Sequence, residues 1–100
     1  MNPSVSNPIL LTDDQLQLIR DMSGNFMTPS DIAFMIRVPA DEFRCWIQDD
    51  NHPAGIAYKE AKITAILEIR RKIIGMAKKG SPQAETLANQ LIQDQMLGED

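Results

Sequence analysis

The chain of 100 residues holds one cysteine, Cys45, and one histidine, His52. A single cysteine excludes an intramolecular disulfide and any cysteine-based metal framework. With only one histidine beside it, the residues argue against a zinc site or a Cys/His nucleophilic site. No stretch approaches the roughly 18 continuous apolar residues of a membrane span. The N-terminal MNPSVSNPILLTDD has neither a basic start nor a long apolar run, so no secretory leader is expected. The setting expected is cytoplasmic and reducing. Glycine-rich phosphate loops, metal-spaced clusters and nucleophile–base pairs are missing as well. The acids Asp13, Asp14, Asp49 and Asp50 fall at helix ends, where capping accounts for them. The reading is therefore of a non-enzyme without cofactor or metal.

Basic charge is scarce over most of the chain. The net charge of −4 argues against a general nucleic-acid binder, since phosphate contacts need Lys and Arg. Residues 1–52 carry eight acids and three bases, residues 53–80 seven bases and two acids, and residues 81–100 four acids and no base. Positive charge is thus gathered on one segment.

What is present, in a chain that is 43% apolar, is helical patterning for one small all-α domain. Residues 1–9, with Pro3 and Pro8, read as a flexible arm. Thr12-Asp13-Asp14-Gln15 is a capping box that opens a helix over about 13–23, with Gly24 as its stop. Thr28-Pro29 opens a second helix, carrying Ile32, Ala33, Met35 and Ile36 on its apolar side. Pro39 ends it and holds Val38 extended. A third helix follows over about 40–49, turning Phe43, Trp46 and Ile47 inward.

The spacing of Ala33, Val38, Phe43 and Trp46 in TPSDIAFMIRVPADEFRCWI is that of a helix-turn-helix, whose second helix ordinarily enters the DNA major groove. Residues 10–52 make this three-helix unit. Pro53 restarts the chain in a long helix reaching Lys79, about 40 Å if continuous. Ile63, Ile66, Leu67, Ile69, Ile73, Ile74, Met76 and Ala77 form its broad apolar face. Gly80-Ser81-Pro82 ends it and opens an antiparallel return helix with Ala84, Leu87, Ala88, Leu91 and Ile92 inward. Residues 53–97 form this long-helix hairpin, a region expected to mediate oligomerisation.

Candidate DNA contacts lie on the third helix and near its turn. Arg44 suits guanine, Gln48 adenine and Asp41 the cytosine amino group, while Arg37 beside the turn suits a backbone contact. Asp41 and Glu42 would also repel phosphate, and as acids at a helix start they stabilise its dipole. Arg71, Lys72, Lys78 and Lys79 share an outward side of the long helix and offer a basic patch. The alternative there is solvated surface, with Lys78 and Lys79 complementing the helix end. Ile66, Ile69, Arg70, Ile73 and Met76 are the candidate oligomer interface, with Arg70 as a paired interface charge. The other reading of the whole chain is a helical protein-interaction module that does not bind DNA.

The segments LTDDQLQLIRDM, TPSDIAFMIRVPADEFRCWI and AYKEAKITAILEIRRKIIGMAKKGSPQAETLANQLI resemble small bacterial and prophage helix-turn-helix proteins, similar to phage terminase small subunits. The resemblance covers about residues 10–95. It implies a homo-oligomer assembled through the later helices that recognises double-stranded DNA with the N-terminal motif. It also implies an ATP-driven large terminase subunit as partner. Two departures stand out: Arg37 occupies the place where such a turn commonly has glycine, and Asp41 and Glu42 crowd the reading helix.

Overall fold

The computed structural model describes residues 10–98, so the arm expected over residues 1–9 lies outside the described residues. Five helices follow one another, and among the described residues there is no strand. They are α1 (Asp13–Gly24), α2 (Pro29–Ile36), α3 (Ala40–Ile47), α4 (Pro53–Lys78) and α5 (Pro82–Gly98). The chain divides into a first unit ending at Ile63 and a second beginning at Thr64, so the boundary falls inside α4.

Local chemistry sets each helix start. The Thr12 hydroxyl accepts from the Gln15 N–H at 3.0 Å while Gln15 Oε1 accepts from the Thr12 N–H at 2.9 Å, the reciprocal pairing of a capping box. The other end of the Gln15 amide donates to the Ile36 carbonyl at 2.9 Å. One side chain thereby caps α1 and satisfies a terminal carbonyl of α2 that has no partner within its own helix. Thr28 accepts from the Asp31 N–H at 3.2 Å, with Pro29 in the first turn of α2. The Ser81 hydroxyl accepts from the Ala84 N–H at 3.3 Å at the start of α5.

The helix ends share one device. At α2, the Val38 N–H reaches the Ala33 carbonyl and the Arg37 N–H the Phe34 carbonyl; at α4, Ser81 reaches Met76 and Gly80 reaches Ala77. At α1 the same pair joins Met27 to Met22 and Phe26 to Ser23. This is the Schellman pattern, which needs one left-handed residue. That residue is Gly80 at α4, but Phe26 (φ 61°) at α1 and Arg37 (φ 65°) at α2. The expected stop at Gly24 is therefore corrected: Gly24 is the last helical residue and the left-handed turn falls on Phe26. The third helix also stops earlier than Asp49. Gln48 and Asp49 donate three residues back, to Cys45 and Trp46, which tightens and ends the turn.

The first unit has a core of Ile19, Ile32, Ala33, Ile36, Phe43, Ala54 and Ala57, with Leu16, Met22, Val38, Trp46, Ile47 and Tyr58 packed around it. Phe43 is fully buried and meets Tyr58 edge-on, ring centroids 6.1 Å apart. Full burial of each large side chain contributes about 1.5–3 kcal/mol. The long helix enters this core through small residues. Ala54, Gly55 and Ala57 are its buried positions, and a Cβ on Gly55 would sit 2.6 Å from the Trp46 carbonyl. Its aliphatics behave otherwise: Ile63, Ile66, Leu67, Ile69, Ile74 and Met76 are exposed. Met35 on α2 and Leu87 and Ile92 on α5, expected inward, are also exposed, leaving Ala84 and Ala88 as the buried residues of α5.

Candidate nucleic-acid interface

The outward side of α3 follows from the burial of Phe43. With Phe43 in the core and Trp46 and Ile47 packed against it, helical geometry turns Asp41, Glu42, Arg44 and Cys45 to solvent, and all four are exposed. Gln48, one residue beyond the last helical position, is exposed too, as is Arg37 in the turn. The structure thus presents all four candidates of the first unit, Arg37, Asp41, Arg44 and Gln48, at the surface of the helix-turn-helix.

Arg44 is not free there. Its Nη1 lies 3.3 Å from Asp41 Oδ1, and its Nη2 donates to Ser30 Oγ at 2.6 Å. The guanidinium thereby bridges the first turn of α3 to the first turn of α2. The Asp41 side chain is 99% exposed and that of Arg44 49%, so the ion pair contributes at most about 0.2–1 kcal/mol. Ser30 carries no sequence signal for this role, because it stands fourteen positions before Arg44 and meets it only once the turn has closed.

The field around α3 is acidic. Asp31, Asp41, Glu42, Asp49 and Asp50 are all exposed, and of these Asp50 pairs with Lys59 of α4. In a groove-reading helix the N-terminal residues face the bases, and here those are Asp41 and Glu42.

In the second unit Arg71, Lys72, Lys78 and Lys79 are exposed, and among the described residues none of them has a carboxylate within 4.0 Å. Arg71 and Lys78 stand seven residues apart and so recur on one side of the helix about 10.5 Å along its axis, while Lys79 lies in the turn just past the last residue of α4. Of the interface candidates, Ile66, Ile69 and Met76 are exposed while Arg70 and Ile73 are half-buried. No acidic partner of Arg70 is found among the described residues.

Among the described residues no three His, Cys, Asp or Glu side chains are placed to hold a metal ion, and no helix is long and apolar enough to cross a membrane. No family model, curated protein or solved structure matches the chain.

Sequence reasoning passed over one exposed feature. Phe34 is 80% exposed, and with Met35, Arg37 and Val38 it lines an open apolar hollow beside the turn. The signal was present as an aromatic on the polar side of a short helix, but Phe34 sits in an unbroken apolar run, IAFMI, where periodicity does not separate inside from outside.

Proposed function

We propose that this chain is a DNA-binding helix-turn-helix protein, a small-terminase-like subunit that recognises double-stranded DNA for phage packaging. It works as a homo-oligomer in the cytoplasm of a bacterial host and passes DNA to an ATP-driven large subunit. The observation that carries the reading is the α2–turn–α3 arrangement, with Phe43 locking one side of α3 into the core and Arg37, Arg44 and Gln48 left on the other. Arg44 and Gln48 then supply base-edge contacts and Arg37 a phosphate contact, while Asp41 selects against wrong bases at its position. Arg71, Lys72, Lys78 and Lys79 add sequence-independent phosphate contacts.

Titration of labelled duplexes by fluorescence anisotropy at several salt concentrations tests this directly. Binding should weaken steeply with salt, and Arg44→Ala should weaken it a further roughly 5–150-fold at the preferred sequence, the equivalent of about 1–3 kcal/mol. Absence of binding to any duplex at low salt removes the DNA reading. The second reading, a protein-interaction module, then stands. It draws on a specific observation, the exposed Asp41 and Glu42 at the start of α3, which suit a basic protein partner better than a phosphate backbone.

A further inference from the structure

His52 occupies the joint between α3 and α4, where its ring makes one hydrogen bond and one stacking contact. Its Nδ1 accepts from the Ala54 N–H at 3.0 Å, capping the first turn of α4. Its ring lies flat on the indole of Trp46, centroids 4.8 Å apart and planes within 12°. Its backbone N–H donates to the Asp49 carbonyl. An imidazole nitrogen accepts a hydrogen bond only when it carries no proton. The cap therefore exists only with neutral His52.

We propose that His52 is a proton-operated latch on the α3–α4 joint: neutral, it caps α4 and stacks on Trp46; protonated, it releases the cap. Three observations make the release consequential. Ala54 is fully buried, so water does not readily replace the lost acceptor, and a buried N–H without a partner is costly. Protonation also places a positive charge at the positive end of a 26-residue helix, the unfavourable end for a cation. Finally, the joint is held at close quarters, with Gly55 against the Trp46 and Asp49 carbonyls, so α3 and α4 meet backbone to backbone beside the cap.

The charged groups around the ring are few. The turn supplies Asp49, whose carboxylate accepts from the Asn51 N–H, and Asp50, which is engaged by Lys59 of α4. The face of α3 against the ring offers the uncharged indole. Histidine is the side chain that ordinarily changes charge between about pH 5 and 8, which sets the range over which the latch is tested.

The inference is independent of DNA binding, and Trp46, the only tryptophan, reports on it. The full chain is titrated from about pH 8 to 5, following Trp46 emission and, by NMR, the exchange protection of the Ala54 amide corrected for intrinsic rates. The expected result is a one-proton change in emission together with loss of Ala54 protection on the acid side. His52→Asn keeps a side-chain acceptor at the cap and does not titrate, so both readouts should stay flat in that variant. Emission traces that superimpose for the wild type and His52→Asn, or an Ala54 amide that stays protected across the range in the wild type, would overturn the proposal.

Discussion

Arg37 and Phe26 sit in backbone conformations that cost a residue with a Cβ about 1–2 kcal/mol, at φ 65° and 61°. The Schellman hydrogen bonds require that conformation, and glycine ordinarily fills it. Arg37→Gly should therefore stabilise the first unit. The relief of strain, less the extra entropy that glycine carries in the unfolded chain, leaves a gain of about 0.5–1 kcal/mol. Arg37→Ala is the control, because it removes the same charge and keeps the strain. Chemical denaturation should rank Arg37→Gly above Arg37→Ala, and equal midpoints would refute the account. Ser23 gives a second case. It is fully buried and its hydroxyl has no hydrogen-bond partner among the described residues. Ser23→Ala removes a desolvated hydroxyl from mid-core and improves helix propensity. It should raise stability by about 1 kcal/mol, read as an upward shift of Tm of roughly 4–8 °C. A fall in Tm would mean that the hydroxyl is satisfied in solution.

At the level of elements, α4 shows how two glycines in one helix differ. Gly55 faces the Trp46 and Asp49 carbonyls, whereas nothing lies within 4 Å of the place a Cβ would take on Gly75. In an exposed helix interior Gly→Ala gains about 0.8–1 kcal/mol, so Gly75→Ala should stabilise by nearly that amount. At Gly55 the clash with backbone that cannot swing aside dominates, and Gly55→Ala should lose about 1–3 kcal/mol despite the same propensity gain. Opposite signs in thermal melts followed by circular dichroism are the expected outcome. The contrast also marks what sequence could disclose. Thr12, Thr28, Pro29, Gly80 and Ser81 announce the helix boundaries because capping chemistry is local, and the structure has them in those roles, whereas Pro39, expected to end α2, stands at the N-cap of α3 after α2 has already ended at its C-cap Arg37. The packing face of α4 was hidden for the opposite reason. Periodicity weights large aliphatics, so Ile63 and Leu67 stood out, whereas the buried face consists of Ala54, Gly55 and Ala57. The candidate site divides in the same way. The outward positions of α3 follow from Phe43 and helical spacing alone, but the engagement of Arg44 by Ser30 depends on tertiary closure.

Over the whole molecule, charge and exposed aliphatic surface bear on the same question. The first unit, through Ile63, carries nine acids and five bases, and the second five of each. A single helix-turn-helix with that surplus of acid gains little from phosphate contacts, because each contact made by Arg37 or Arg44 is opposed by nearby carboxylates. Several copies change the arithmetic, since linking weak sites raises overall affinity by about 10²–10⁴-fold without any new contact. We propose that the exposed aliphatics serve assembly: Ile63 is 65% exposed, and the exposed Ile66, Leu67, Ile69, Ile74 and Met76 share the same helix. Under the DNA-binding proposal, assembly and DNA affinity must therefore fall together. Ile66→Glu combined with Ile69→Glu leaves α3, Arg37, Arg44 and Gln48 untouched and places charge on the proposed interface. Sedimentation velocity should show the wild type as an oligomer and the double variant as a monomer. Anisotropy on the same preparations should show DNA affinity reduced by at least about 100-fold, the lower end of the range that linkage supplies. A wild type that sediments as a monomer yet binds DNA would show that one unit suffices and that its acids do not limit it. A monomeric variant that keeps full affinity would lead to the same conclusion and would leave the exposed aliphatics serving assembly alone.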